Sequence, residues 1–177
     1  MLIEGQKINL RDLKPRDAES IYKNLNDRDV SRYTARISYP YRLEDAQDFI
    51  KFSKKKNMNQ IVFGIENPEN KKIIGIIDLT SIDYHDSKGA ILGYWLGKKY
   101  WGQKIMSEVV KLVLNYAFKK LKLVRVQATV MEPNKASMKV LEKNSFKQEG
   151  ILRKKVYKNR KWQNIFVYGI LKKEFKK

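Results

Sequence analysis

Residues 104–119 show the clearest alternation of apolar and polar positions in the chain, and this pattern predicts a helix. Polar residues recur every three or four positions, and apolar residues fill the places between them. This spacing puts the apolar side chains on one face of an α-helix over four turns. The polar positions are Lys104, Glu108, Lys111, Asn115 and Lys119, and the apolar positions are Ile105, Val109, Leu112, Val113, Tyr116 and Ala117.

Three shorter helices are predicted from similar spacing. One begins at Pro15 and places Ala18, Ile21, Tyr22 and Leu25 on one face, and a second places Leu43, Ala46, Phe49, Ile50 and Ser53 together. Between these two helices the pattern breaks over Asn26–Tyr41. The third helix begins after Asn134, which suits an N-cap, and carries Ser137, Val140 and Leu141.

Seven strands complete the predicted order of strand, two helices, three strands, helix, strand, helix and two strands. They are Lys7–Leu13, Gln60–Glu66, Lys72–Ile82, Ala90–Leu96, Leu123–Val130, Phe146–Val156 and Gln163–Leu171, the last two joined around residues 158–160. Helices packed against a sheet in this order indicate the α+β class. Neither a repeat nor a linker divides the chain, so we expect a single domain over residues 1–177.

Charge and residue inventory narrow the functions that this domain can have. The formal net charge is +19, mostly from lysines spread along the chain, and such a surface favours polyanions such as RNA or the ribosome. The same lysines could also simply solvate the surface. There is no cysteine, which excludes disulfides, thiolate metal sites and a cysteine nucleophile, and a single histidine, His85, excludes a multi-histidine metal centre. No apolar run reaches the length of a membrane span, so we expect a cytoplasmic protein without membrane contact.

The segment Gly93–Ser107 joins a strand to the long helix through a tight turn. Its sequence is Gly-Tyr-Trp-Leu-Gly-Lys-Lys-Tyr-Trp-Gly-Gln-Lys-Ile-Met-Ser. The first turn of a helix presents unpaired N–H groups and the positive end of the helix dipole. Because a glycine at its mouth permits close approach, this turn predicts a site for an anionic group such as phosphate.

These residues resemble the coenzyme loop of the GNAT N-acetyltransferase superfamily, in particular the ribosomal-protein N-terminal acetyltransferases of the RimJ/RimL type. Two further blocks match that branch, Pro133–Ser137 and Asn144–Arg153. The resemblance extends over nearly the whole chain and is strongest from Ile73 onward. It implies a mixed, mostly antiparallel sheet flanked by helices, and acetyl-CoA as the acetyl donor.

The resemblance also implies which residues contact acetyl-CoA. The implied contacts are Tyr94, Trp95, Leu96, Gly102, Gln103, Lys104, Ile105, Met106, Ser107 and Asn134. The superfamily loop usually reads Gln/Arg-x-x-Gly-x-Gly/Ala, whereas this chain has Lys99, Gly102 and Lys104 at those positions. Lys104 therefore either holds the backbone slightly away from the pyrophosphate or adds a charge contact to it.

Ser137 is the predicted catalytic residue. In the resembling branch this serine lies near the CoA sulfur, which implies a hydrogen bond or a proton for the thiolate; otherwise it is an ordinary first-turn helix serine. The two carboxylates that the branch commonly carries are replaced here by Ile91 and Val156. The remaining candidates for a general base are Asp83, His85 and Glu149, unless the amine loses its proton through water.

The resemblance implies transfer of acetyl to a primary amine, with a protein N-terminal α-amine, such as that of a ribosomal protein, as the leading acceptor. The segment Asn26–Tyr41 would then form one wall of the acceptor site. Two alternatives stay open: acetylation of a small-molecule amine, and a catalytically weak module that binds RNA or the ribosome. Polyamine acceptors fit poorly because the sequence shows no acidic cluster. Either a monomer or a homodimer is compatible with the sequence.

Overall fold

An eight-stranded sheet organises the computed structural model, which describes residues 1–34, 37–55 and 59–176. The strands are β1 (Leu2–Glu4), β2 (Asn9–Arg11), β3 (Ile61–Glu66), β4 (Ile73–Asp83), β5 (Gly89–Leu96), β6 (Arg125–Met131), β7 (Lys147–Lys158) and β8 (Lys161–Leu171). The helices are α1 (Ala18–Leu25), α2 (Arg28–Ser31), α3 (Leu43–Ser53), α4 (Ile105–Lys119) and α5 (Lys135–Lys143). The strands lie in the order β1-β2-β3-β4-β5-β6-β8-β7.

Neighbouring strands are antiparallel, apart from β5 and β6 among the strands described. These two are parallel because α4 connects them, and a helical crossover returns the chain in the same direction. Their pairing starts at Gly89 with Arg125 and stops at Leu92 with Ala128. Beyond that pair, β5 continues along β4 while β6 continues along β8. The sheet therefore splits in its middle.

Helices cover the sheet on both faces and divide the core in two. The larger core packs α4 and α5 on the sheet, and the smaller one packs α1 and α3 on the opposite face. Strand β4 contributes to both, since Ile74 and Ile77 belong to the first core whereas Ile73 and Ile76 belong to the second. Burial on both faces explains why this strand reads as a continuous apolar run.

A buried ionic cluster fastens the N-terminal strands to the helices. Arg11 donates to Asp17 through two nitrogens, at 2.7 and 3.0 Å, and its Nε donates to Glu66. The hydrogen bond to Asp17, more than that to Glu66, holds the pKa of Arg11 above its ordinary value. The cluster ties β2 to β3 and to the turn before α1.

The α+β class and the mixed, mostly antiparallel sheet are confirmed, and three element predictions were wrong in detail. The predicted strand Lys7–Leu13 is only Asn9–Arg11, and the additional strand Leu2–Glu4 precedes it. A short helix, Arg28–Ser31, forms within the segment predicted to be irregular, because Asp27 accepts the N–H groups of Asp29 and Val30. Positions 35 and 36 of that segment lie outside the described residues.

Candidate functional site

The gap between β5 and β6 is the backbone feature on which the site is built. Residues 93–96 of β5 pair with β4 on one side, and none of the described strands pairs with them on the other. In a strand, alternate backbone N–H and C=O groups point to opposite edges. The end of β5 therefore presents backbone polar groups to the gap, where an extended ligand could bond them.

The turn after β5 has an unusual backbone that the sequence only partly indicated. Gly102 has φ +76° and Lys104 has φ 62°, so two residues of this turn are in the left-handed region. The turn is braced by Trp101, whose Nε1 donates to the carbonyl of Leu96 at 2.7 Å, and by Gln103, whose Nε2 donates to the carbonyl of Lys99 at 3.0 Å. A left-handed residue immediately before a helix turns successive N–H groups toward one point.

Lys104 is the residue that precedes α4. Its left-handed backbone explains why the superfamily loop usually carries glycine or alanine at this position. A left-handed backbone favours glycine, because a Cβ in that region is crowded. The first bond of the helix joins the N–H of Glu108 to the carbonyl of Lys104 at 3.4 Å, so the N–H groups of Ile105, Met106 and Ser107 lie before it. The space beside Gly102 is empty, because a Cβ placed on this residue would meet no protein atom within 4 Å.

A cleft of about 310 Å³ lies between this turn, the end of β5 and α5. All of the sequence-predicted site residues except Gln103 line it, namely Tyr94, Trp95, Leu96, Gly102, Lys104, Ile105, Met106, Ser107, Asn134 and Ser137. Three lysines line the cleft, Lys104 from the turn and Lys139 and Lys143 from α5, and they give it a positive charge. Gln103 instead supports the turn through its side-chain bond to Lys99.

The first turn of α5 brings Ser137 against β5. The predicted N-cap is confirmed, since Oδ1 of Asn134 accepts the N–H of Ser137 at 3.1 Å. The hydroxyl of Ser137 lies 2.7 Å from the hydroxyl of Tyr94, and either can donate. Burial raises the pKa of Tyr94 to about 12, so this phenol keeps its proton at neutral pH. This pairing was not predicted, because residues 43 positions apart meet only through the fold.

A second, larger cleft of about 1280 Å³ lies on the other side of the gap. Its walls come from α3, from residues 33–34 and 37–42, and from β4, β5 and β6. The two clefts share the lining residues Tyr33, Thr34, Tyr94, Trp95, Asn134 and Ser137. The pair of hydroxyls therefore lies at the junction where a ligand in one cleft would meet a ligand in the other.

Three carboxylates line the larger cleft. Asp45 and Asp48 come from α3, whereas Asp78 comes from β4 and its carboxylate lies over Gly93, within 2.8 Å of where a Cβ on that residue would be. Asp45 accepts the N–H of Arg42, and Asp48 pairs with Lys51. Asp78 had a signal in the sequence, namely a single charge inside the apolar run Ile73–Thr80.

The proposed general bases Asp83, His85 and Glu149 do not line either cleft. Asp83 lies six strand residues from Ile77, the partner of Tyr94, which is roughly 20 Å at 3.3 Å per residue. Hydrogen bonds from Ser87, followed by His85, lower the pKa of its carboxyl far below the usual range. Glu149 forms a pair with Arg125, which lies opposite Gly89 at the start of β5, and hydrogen bonding to Arg125 lowers its pKa.

The described residues offer neither a metal-binding cluster nor a helix suited to span a membrane. Within residues 1–34, 37–55 and 59–176, no three histidine, cysteine or acidic side chains cluster in a way that could hold a metal ion. In the same part of the chain, no helix combines the length and apolarity that crossing a bilayer requires.

Sequence comparison matches residues 7–147 to the family described as Acetyltransferase (GNAT) domain. The chain is 44% identical to Probable N-acetyltransferase YjcK of Bacillus subtilis over 109 residues, which is 62% of this chain and 60% of that relative. It is 30% identical to Uncharacterized N-acetyltransferase YoaA of the same organism over 97% of both chains. It is also 26% identical to the [Ribosomal protein uS5]-alanine N-acetyltransferase of Escherichia coli, over 62% of this chain and 56% of that relative.

Solved structures share the fold over almost the full length. A structure described as Probable acetyltransferase superposes with a TM-score of 0.89 at 25% identity, covering 99% of both chains. The spermidine N-acetyltransferase of Vibrio cholerae, solved in complex with CoA and spermine, superposes with a TM-score of 0.84 at 22% identity, covering 96% of this chain and 98% of that one. At that identity the second likeness concerns the fold alone.

Proposed function

The chain belongs to the GNAT acetyltransferase family, and from this premise we propose that it acetylates the free α-amine of a protein N-terminus, such as that of a ribosomal protein. Members of this family are N-acetyltransferases that use acetyl-CoA. The observation that carries the proposal is the junction of two clefts at Tyr94 and Ser137, one small and basic and the other large and partly acidic.

The smaller cleft fits the chemistry of acetyl-CoA, which carries several phosphate charges and an extended amide-containing arm. The open Gly102 and the N–H groups at the start of α4 suit a pyrophosphate, and Lys139 and Lys143 supply further positive charge. The edge of β5 beyond Leu92 and the N-cap residue Asn134 suit the amide-containing arm. We therefore assign these groups, with Gln103 as a brace of the turn, to holding acetyl-CoA.

Bound acetyl-CoA supplies an activated acetyl thioester, and the chain supplies protons and orientation. Tyr94 and Ser137 hold two hydroxyl protons in one hydrogen-bonded pair at the junction. Because the pKa of Tyr94 is about 12, the phenol keeps its proton, and the pair can donate a hydrogen bond to a released thiolate. Ser137 is the proposed catalytic residue, and Tyr94 orients its hydroxyl.

The size of the larger cleft supports a peptide acceptor. Small-molecule pockets usually measure about 300–1,000 Å³, whereas this cleft measures about 1280 Å³. Its aromatic wall, which includes Tyr41, Phe49 and Phe52, can contact the side chains of the first residues of a peptide. The relative from Escherichia coli is named for acetylating the alanine of a ribosomal protein, and this name supports the same class of acceptor.

Asp78 gives the cleft a means of attracting the amine. Its carboxylate lies beside Gly93, the residue before Tyr94, on a chain whose net charge of +19 otherwise repels cations. We assign Asp78 to positioning the acceptor ammonium near the junction. The same carboxylates also favour a small polycationic amine as the second candidate acceptor, because three acidic residues and one basic residue, Arg42, line the cleft among the residues that the structure describes.

An acceptor screen tests the proposal directly. Because the chain has no cysteine, a thiol reagent detects only the CoA released by transfer. We expect a peptide with a free N-terminal alanine to give turnover, and the same peptide with a blocked N-terminus and an internal lysine to give much less. Spermidine and an aminoglycoside complete the screen.

The screen separates the possible functions. Turnover with spermidine but not with the free-N-terminus peptide would replace the proposed acceptor by a small polycation. Calorimetry without acetyl-CoA binding at millimolar concentration would instead favour a non-catalytic module on this fold. Substituting Asp78→Asn should raise the KM for the peptide about tenfold or more while leaving acetyl-CoA affinity unchanged.

A further inference from the structure

The hairpin of β7 and β8 carries exposed aromatic side chains that lie outside both clefts. Tyr157 and Trp162 are each 60% exposed and pair across the two strands, with ring centroids 5.3 Å apart and planes tilted by 59°. Single exposed apolar side chains are normal on a protein surface, but two large neighbouring rings form a patch that binding would cover. Because the rings are tilted, neither covers the face of the other.

The position of the helices explains why these rings are exposed. Alternate residues of β8 face the same side of the sheet, so Trp162 shares a face with Phe166 and Tyr168. Tyr168 is buried in the core beneath α4 and α5, and Lys135 at the start of α5 lies over the ring of Phe166 at 5.7 Å. Trp162 lies four residues from Phe166 along the strand, beyond the part of the sheet that α4 and α5 cover.

Positive charge surrounds the aromatic pair. Six of the nine residues from 153 to 161 are lysine or arginine, and none is acidic. They are Arg153, Lys154, Lys155, Lys158, Arg160 and Lys161. All but Lys158 are exposed. The hairpin therefore combines aromatic faces with a local excess of positive charge that ion pairs inside the hairpin do not neutralise.

We propose that the hairpin binds single-stranded RNA through Tyr157 and Trp162, with the surrounding cations contacting phosphates. Aromatic faces stack on unpaired bases, and basic side chains follow the backbone, in proteins that bind single strands. A second copy of this chain is a poor partner, because a two-fold contact would oppose twelve cations across the interface. A duplex also fits poorly, since its bases are already stacked on one another.

The hairpin borders the proposed acceptor cleft. Nζ of Lys158 donates to the carbonyl of Ile37 at 2.7 Å, and both Ile37 and Ile165 of β8 line the larger cleft. RNA held at the hairpin would thus lie next to the place where a ribosomal protein N-terminus would enter. This consequence rests on the proposed function, whereas RNA binding itself does not.

Fluorescence anisotropy with a labelled twelve-nucleotide oligouridine and the full chain tests the inference. We expect Tyr157→Ala with Trp162→Ala to weaken binding about tenfold or more, and Trp162→Phe to stay within about threefold of the unchanged protein, because a π face is kept. Tyr84→Ala, which removes another exposed aromatic ring, is the matched control and should bind like the unchanged protein. Trp162→Leu should behave like Trp162→Ala, because it keeps apolar area without a ring.

Several results would overturn the inference. Unchanged oligouridine binding in the double variant would do so, as would equal losses for oligouridine and for a duplex RNA of the same length. A change in sedimentation mass, or in binding to anionic vesicles, without a change in RNA binding would assign the patch to self-association or to a membrane surface. Acetyl transfer to the peptide, measured without RNA, reports separately on the proposed function, and acetyl-CoA binding by the double variant verifies its folding.

Discussion

At the scale of single residues, the pairing of Ser137 with Tyr94 is the contact that most sharply defines a role. The two hydroxyls lie 2.7 Å apart at the junction of the clefts. We expect Ser137→Ala and Tyr94→Phe each to lower kcat by roughly 10- to 1000-fold while leaving acetyl-CoA affinity nearly unchanged. Steady-state rates and thermal unfolding on the same preparations check this. Unchanged turnover of Ser137→Ala would remove this serine from the mechanism.

The pH dependence adds a second test of the same pair. The raised pKa of Tyr94, about 12, means that the native state binds the phenolic proton more tightly than the unfolded chain. Its contribution to stability is therefore complete below about pH 10 and lost as the pH rises toward 12. Between pH 7 and 9.5 the phenol stays protonated, so Tyr94→Phe should lower the rate plateau without moving the midpoint of the pH profile. A shifted midpoint would contradict this assignment.

At the scale of elements, the turn between β5 and α4 combines backbone strain with ligand contact. Lys104 adopts φ 62° without being glycine, which costs about 1 kcal/mol. We expect Lys104→Gly to raise the free energy of unfolding by about that amount and to weaken acetyl-CoA binding by a few-fold, because an ammonium is lost from the cleft. Denaturant unfolding and calorimetry measure the two effects. Tighter acetyl-CoA binding in this variant would show that the lysine hinders the pyrophosphate.

Gly102 in the same turn provides a complementary test. A Cβ at this position would meet nothing in the protein, but it would project where a phosphate could approach. We expect Gly102→Val to weaken acetyl-CoA binding by more than it lowers stability, the stability cost being about 1–2 kcal/mol from the left-handed backbone. Equal losses of both quantities would indicate a purely structural glycine.

The ionic cluster of Arg11 is the element-level contact on which stability should depend most. Its guanidinium and both carboxylate partners are less than 10% exposed. We expect Arg11→Met to cost about 3–5 kcal/mol, because it leaves Asp17 and Glu66 buried without a cation. Arg125→Met, which breaks the partly exposed pair with Glu149, is the control and should cost at most about 1 kcal/mol. Similar losses in the two variants, measured by urea unfolding, would contradict this reasoning.

At the scale of the whole molecule, the charge of +19 should act on the anionic donor more than on the chemical step. We expect the KM for acetyl-CoA to rise several-fold between 50 and 500 mM salt, with kcat nearly constant, because salt screens the attraction. Lys139→Gln and Lys143→Gln remove charges that line the smaller cleft and should flatten this dependence. Lys111→Gln, an exposed change in the middle of α4, is the matched control. If all three variants flattened the salt dependence of KM equally, acetyl-CoA would be attracted by the overall charge of the protein and not by local contacts with Lys139 and Lys143.

The sequence by itself determined the class of the fold, the long helix and the turn before it, and its resemblance to a known superfamily indicated most of the residues around the smaller cleft. These features are local: the period of α4, the alternation of β6, the N-cap at Asn134 and the glycine of the turn are each written within a few neighbouring residues. The sequence did not predict the very short elements β1 and α2. They have only three and four residues, too few to show a periodic pattern, and their formation depends on contacts with other parts of the chain.

Only the tertiary structure decided which distant residues meet. It placed Tyr94 against Ser137 and brought Asp78 beside Gly93, and it carried Asp83 and Glu149 away from the clefts. The split between β5 and β6, which creates the junction, depends on where a pairing between strands stops. A periodic pattern specifies which face of an element is buried, but the partner on that face is fixed by sheet order and register, which no local stretch of sequence contains.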